Sequence, residues 1–368
     1  MVCEEGTALV TTGDVAVEGV PHAVESPLAL RCGVTLPSRI VKTAMSECLG
    51  HADGTPSQQL VDLHRGQQAS LGGIGYLISG HVMVGEGGRA EMGNVVLTTE
   101  ECLERRHSSP HRQSMWQRWA QPCTVEGAVP MLIQINHAGR QVPRHVMHKY
   151  KVRPIGPTTK GIKGGMGLFG RPECVYDMPG AIDSIIDQFA GAASLAVSSG
   201  FQGVQIHMAH GYLLSSILAD DTRPLQARTD LVCRVVAAVR RAVGPSAVVA
   251  VKVNASDFTD PSDCVHVCTG MQAEGLDLIE VSGGTYEKVE FMVEADGDPS
   301  SAPTPCPFLP VASRVAAAVD IPVCVTGGLV RCRQDLDTTL AAGATLVGAA
   351  RPFTRLSPTQ LAERERER

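Results

Sequence analysis

The chain has 368 residues, a formal net charge of −6, and 43% hydrophobic and 19% charged residues, a globular composition that excludes disorder as its organising state. An acidic balance with no basic block interleaved with aromatics argues against nucleic-acid binding, and no run approaches the roughly eighteen apolar residues of a membrane-spanning helix. The twelve cysteines are scattered, with no pair two residues apart, so zinc-ribbon and iron–sulfur spacings are absent, no metal is expected, and a reducing, cytoplasmic setting is.

Residues 1–27 lack both a basic leader and a long apolar core, so they read as a poorly ordered N-terminal extension and not as a secretory signal. Eight short apolar runs follow: RIVKTAM (39–45), YLISGHVMV (76–84), AVPMLIQIN (128–136), GVQIH (203–207), AVVAVKVN (247–254), LDLIEVS (276–282), IPVCVTG (321–327) and TLVGAA (345–350). Near-continuous apolar runs of this length suit strands buried on both faces of a parallel sheet. Helical periodicity lies between them, at 57–70, 184–200 and 230–244 among others. Eight strands alternating with helices predict an α/β fold, a (β/α)8 TIM barrel over residues 28–356, ahead of a doubly wound sheet. A doubly wound sheet would need a strand-following GxGxxG fingerprint, and none is present. The stretch from Gln141 to Pro179 breaks the rhythm after the third strand and is too long for an idle connection, so it is expected to cap the C-terminal mouth. Residues 357–368 end in AERERER, which reads as a charged, solvated tail.

Polar residues crowd the C-terminal ends of these strands: Met45-Ser46, Gly80-His81, Gln134 to His137, His207 to Tyr212, Lys252 to Asp257, Ser282 to Tyr286, and Thr326 to Gly328. In a barrel they converge on one concave surface, where barrel active sites are built. Gly327 and Gly328 in VTGGL precede a helix, and Arg351 in AARPF adds a fork-shaped donor, so the seventh and eighth strand ends suit a phosphate.

The segments SRIVKTAMSE (38–47), QINHAGRQ (134–141), GFQGVQIHMAHGYLLSSIL (200–218), VTGGL and LVGAARPF resemble the old yellow enzyme family of FMN-dependent NADH:flavin oxidoreductases, from about Leu28 to Phe353. The resemblance implies FMN as cofactor, NADH or NADPH as reductant, and a small enone-like substrate reduced at its C=C bond; nucleic-acid and membrane partners are not expected, and a homo-oligomer is compatible. By the same resemblance Ala44, Met45, Ser46 and Gly80 would line the flavin edge, Gln134 and Lys252 would meet its pyrimidine end, and Gly327, Gly328, Ala350 and Arg351 would hold the phosphate. His207 and His210 would donate to a substrate carbonyl, and Tyr212 would supply a proton. Departures from the family pattern are Ala44 for proline, Ala350 for glycine, and a shortened connection at DDTRPLQAR (220–228), expected to widen the pocket or loosen the fold. Two alternatives stay open at this point: a non-catalytic or impaired flavin-binding barrel, and a lyase using Lys252 as an imine-forming amine.

Overall fold

The computed structural model describes residues 23–98, 110–163, 167–285, 287, 306–327 and 333–353. Eight parallel strands close a barrel: β1 (Ile40–Lys42), β2 (Tyr76–Met83), β3 (Met131–Asn136), β4 (Gly203–Met208), β5 (Val248–Asn254), β6 (Leu278–Ser282), β7 (Val323–Thr326) and β8 (Leu346–Ala349), with β8 pairing back to β1. Seven lie within their expected runs, β4 continues one residue past its run to Met208, and the fold is a (β/α)8 TIM barrel. Helices α1 (Gln58–Ser70), α2 (Pro110–Ala120), α3 (Arg144–Tyr150), α4 (Ala181–Ser199), α5 (Leu213–Leu218), α6 (Leu225–Val243), α7 (Pro261–Ala273), α8 (Leu309–Ala318) and α9 (Arg333–Ala341) lie between strands. Of the expected N-terminal extension, residues 23–27 join the barrel: Val24 is buried and its carbonyl accepts the Arg39 N–H at 2.8 Å. Residues 1–22 and the expected tail, 357–368, lie outside the described residues.

Strand alternation sorts the core into two parts. Leu77, Ile133, Val204, Val251, Ile279 and Val323 face outward into the helix layer. Tyr76, Ile78, Leu132, Ala250, Leu278 and Leu346 face inward and meet Leu30 and Leu36 of a small hairpin (Leu28–Ala29 paired with Thr35–Leu36). The lower lumen is therefore apolar. Continuing the same alternation upward puts Gln134, Gln205, Lys252, His207 and Glu280 inside as well. On β2 the register shifts between Ile78 and His81, where three residues span what two span on β3. That bulge aims His81 at the lumen alongside Gln134.

The 141–179 segment carries α3 and a two-residue parallel pair, Ile155–Gly156 with Glu173–Cys174. Val142 and Val146 pack with Met83, Ala90 and Tyr212, so the segment does cover the mouth. The Arg89 guanidinium, fully buried, bonds Glu86 and the Asn94 carbonyl and sits 4.2 Å from the Tyr150 ring, pinning the 86–94 loop beneath α3.

Helix α6 starts at Leu225, earlier than the expected Asp230, with Pro224 at its N-cap. The short connection before it is closed and braced. Thr222 bonds Asp220, Arg223 lies within 3.6 Å of the same carboxylate, and the Arg223 guanidinium stacks 3.4 Å over the Tyr176 ring of the cap. At its C-terminal end α6 places Arg240 on the Gly275, Gly244 and Ala247 carbonyls and on the buried Asp277 carboxylate, which also accepts the Val249 N–H. Arg240→Ala should lower unfolding stability by about 3 kcal/mol, because it leaves a buried carboxylate unpaired. A urea midpoint within error of the parent protein would show that this network does not hold β5 and β6 in place.

Candidate active site

The upper lumen carries one continuous polar chain. Gln134 Nε2 donates to Gln205 Oε1 at 2.7 Å, Gln205 Nε2 donates to Glu280 Oε2 at 2.7 Å, and Glu280 Oε1 is 2.8 Å from Lys252 Nζ. Strand pairing sets this up, since Gln134 stands beside Gln205, and Lys252 beside both His207 and Glu280. Gln134 and Lys252 are thus brought together as the sequence implies. Gln205 and Glu280 join them as partners that the sequence reading did not assign; a glutamate inside LIEVS and a glutamine inside GVQIH, each interrupting an apolar strand, were the available signals.

After β4 the chain turns sharply. His210 sits in the left-handed region at φ 60, followed by Gly211 at φ 78. Ser215 Oγ accepts the Gly211 N–H at 2.9 Å and in turn donates to Asp257, anchoring the turn to the end of β5. The turn stacks three rings: His207 lies 5.4 Å from His210 and 4.9 Å from Tyr212, edge to face, and His81 lies 5.2 Å from Tyr212. The Ala209 N–H donates to His207 Nδ1 at 3.2 Å, which leaves the ring proton on Nε2. Burial, reinforced by His210, Lys252 and His81, holds His207 well below the usual histidine range. Burial and the charges of Lys252 and His81 do the same to His210. Both imidazoles are neutral donors near pH 7. His210 Nε2 is engaged by Ser282 Oγ at 2.9 Å.

A second cluster lines the β1–β2 side. Glu91 Oε2 receives Ser46 Oγ, lies 3.1 Å from His81 Nε2, and accepts Cys48 Sγ at 3.2 Å. Asn136 Nδ2 lies 3.0 Å from His81 Nδ1, an arrangement that directs the Nε2 proton at Glu91. Although burial opposes its charge, hydrogen bonds from His81, Ser46 and Cys48 bring the Glu91 carboxyl down to about 2. Beneath it Glu47 accepts the Gly80 N–H at 2.7 Å and pairs with His64 at 3.3 Å. Ser46, Glu47, Cys48, Gly80, His81 and Asn94 line a small cleft of about 10 Å³, room for about one water. Gly80 is obligatory here, since a Cβ would lie 2.0 Å from Glu47 and 2.3 Å from the Met45 carbonyl. Ala44 packs against the lumen cluster. The sequence placed His81 at a strand end without a role, and Glu91 gave no signal because the 86–94 loop must fold back before it reaches the mouth.

At the β7–β8 side Gly327 has φ 137, and a Cβ there would meet the Phe308 ring at 2.9 Å. A Cβ on Gly348 would sit 2.0 Å from Thr326 Oγ1 and 2.6 Å from Thr43 Cγ2. The Thr43 hydroxyl is buried without a hydrogen bond, and the Thr326 hydroxyl lies against the Cys324 thiol. Ala350 accepts the Phe353 N–H, and Arg351 is exposed beside it. Gly328 lies outside the described residues. Thr326, Thr43 and the Phe308 ring pack directly onto these two glycines, across the lumen from the amide–lysine pair. The buried Gln134 amide and Lys252 amine are donors that fit the polar edge of the FMN ring.

A closed parallel barrel with a cap, a histidine pair and a tyrosine at the end of the fourth strand, and an amide–lysine pair inside suits a flavin-barrel oxidoreductase. The chain matches the model of the NADH:flavin oxidoreductase / NADH oxidase family over residues 26–366 and belongs to that family. It is 34% identical over 352 residues to the NADH-dependent flavin oxidoreductase iliE of Hypocrea jecorina (strain QM6a), covering 89% of this chain and 85% of the relative. It is 31% identical over 360 residues to the iliE protein of Neonectria sp. (strain DH2), where it covers 89% of this chain and spans 45% of that longer relative. In fold it is similar to the old yellow enzyme homologue from Zymomonas mobilis, with a TM-score of 0.72, 18% identity, and 94% and 92% of the two chains covered. The chain is a flavin-dependent NADH oxidoreductase of the old yellow enzyme type, with FMN as cofactor. Among the described residues no helix is long and apolar enough to cross a membrane.

The buried imidazoles also set a pH response. His137 is depressed to about 4 by burial, and His207 and His210 lie well below the usual range, so the unfolded chain takes up three protons that the native site refuses. Asp257 works in the opposite sense, because burial lifts it to about 7 and the native state holds its proton. Three minus one leaves a net two protons, so stability should fall as pH drops from about 6.5 toward 4.5, with a slope approaching about 2.7 kcal/mol per pH unit. Urea midpoints that stay flat across this window would contradict the neutral imidazoles.

Proposed function

We propose that this chain reduces the activated C=C bond of small α,β-unsaturated carbonyl compounds, with NADH or NADPH as the electron source. The supporting observation is the ring cluster at the β4 turn, in which a buried, neutral His207 with its proton on Nε2 stands beside His210 and Tyr212. FMN, when bound, supplies the hydride. Gln134 and Lys252 would hold its pyrimidine end, Ala44, Met45, Gly80 and the Ser46–Glu91 pair would hold the opposite ring edge, and Gly327, Gly328, Ala350 and Arg351 would hold the phosphate.

His207 and His210 donate to the substrate carbonyl oxygen, and two donors on one oxygen draw electrons from the conjugated bond, so that the β carbon accepts hydride. His210 takes up this role by exchanging Ser282 for the carbonyl. Tyr212, enclosed by the cap residues Val142 and Val146, transfers its phenolic proton to the α carbon and recovers one from solvent after product leaves. The cap keeps water from this step. An imine-forming role for Lys252 is disfavoured, because its Nζ is engaged by Glu280 at 2.8 Å inside the lumen.

The test is anaerobic: load the protein with FMN, reduce it with NADPH, and follow reoxidation by 2-cyclohexenone. Tyr212→Phe should slow reoxidation by about 10²-fold or more while leaving reduction by NADPH unchanged. His207→Asn and His210→Asn should weaken enone binding. Reoxidation of the parent protein no faster than that of reduced FMN in solution would sink the reading and leave a flavin-binding barrel without this activity.

A further inference from the structure

Glu280 has no exposed surface, and Gln205, Gln134 and Lys252 around it are at most 4% exposed. A carboxylate can only accept hydrogen bonds, so Gln205 must present its nitrogen to Glu280 and its oxygen to Gln134. Gln134 is thereby forced to spend an N–H inward, at 2.7 Å from Gln205 Oε1, and its carbonyl oxygen is the acceptor left for the mouth. On the other side of Glu280 the Lys252 ammonium lies within 2.8 Å. The cation that would favour electron density on a flavin is therefore half of a neutral pair. Nothing in the reaction proposed above uses Glu280 or Gln205.

We infer that Glu280 is a positioning residue for the cofactor site: it orients the Gln134 amide through Gln205, and it compensates the charge of Lys252, so that this chain holds FMN at a lower midpoint potential than an unpaired lysine would set. The inference rests on the placement of FMN against Gln134 and Lys252. A cation beside a site where negative charge develops stabilises the reduced state, and an anion 2.8 Å from that cation removes most of the effect. The arrangement satisfies Lys252 in the dry lumen at the expense of its pull on the flavin.

The experiment measures three quantities on the FMN-loaded protein: the midpoint potential by anaerobic dye equilibration, sulfite affinity from bleaching of the flavin band, and FMN affinity from fluorescence quenching. Sulfite addition leaves negative charge on the flavin, so its affinity reports the local field without any substrate. Glu280→Gln keeps an acceptor for Gln205 and unmasks Lys252. Sulfite should bind at least tenfold tighter, and the potential should rise by about 30 mV, the two-electron equivalent of a tenfold change. Glu280→Asp, which keeps the charge, should stay within about threefold of the parent in sulfite affinity, and Lys252→Met added to Glu280→Gln should abolish the gain. Gln205→Leu should weaken FMN about tenfold with the potential unchanged, since it removes only the orienting contact. If Lys252→Met alone weakens sulfite binding and Glu280→Gln changes nothing, charge compensation is overturned and the placement of Lys252 stands. If neither variant moves sulfite affinity or potential, Lys252 does not face the flavin, and the inference falls with that placement. FMN affinity unchanged in Gln205→Leu would overturn the orienting role.

Discussion

An unpaired carboxylate in a dry barrel interior is penalised by several kcal/mol, and the pairing of Glu280 with Lys252 settles the order of the upper lumen. The two stand opposite each other because β5 and β6 align Lys252 with Glu280 in register. Gln205 and then Gln134 follow, each amide given a fixed sense by the acceptor beneath it. The apolar floor below, with Tyr76, Leu132 and Leu278, contributes hydrophobic stability and keeps the dielectric low. Electrostatics above it then act at close to full strength.

The histidine turn depends on a different device. Its backbone enters the left-handed region at His210, a conformation that a side-chain-bearing residue adopts at some expense in strain. Ser215 and Asp257 hold it there through the Gly211 N–H. At the same turn the His210 carbonyl accepts a hydrogen bond from Gln141 Nε2 at the root of the cap. Chemistry at the mouth and closure over it share one set of contacts.

Much of this was legible in the sequence. All eight strands were found because burial on both faces writes an uninterrupted apolar run, and parallel pairing needs no turn signal. Helix α6 was placed too late because Pro224 and the polar residues after it read as loop, although proline at an N-cap commits the chain to helix just beyond. Two-residue strands and a short α3 inside the cap lie below what periodicity can register. At the site, Gln134, His207, His210, Tyr212 and Lys252 could be placed by strand position. Their partners could not, since Glu280, Gln205 and Glu91 reach them only through barrel closure, strand register and a loop that turns on Asn94, whose side-chain oxygen accepts the Ala90 and Glu91 N–H groups. The shortened connection at 220–228 showed the limit of reading a deletion as a loss: Arg223 stacks on Tyr176 and closes the gap.

Gly139 carries a further implication. It has φ 63, a Cβ on it would lie 2.7 Å from the Leu213 Cα, and the Leu213 N–H donates to the His137 carbonyl at 3.0 Å. The backbones after β3 and β4 are therefore in direct contact, main chain against main chain, with no side chain between them to act as a cushion. Displacing one drags the other. The entry to the cap and the turn that carries the imidazoles therefore share one spacing, and a bulkier residue at this contact would force both backbones apart.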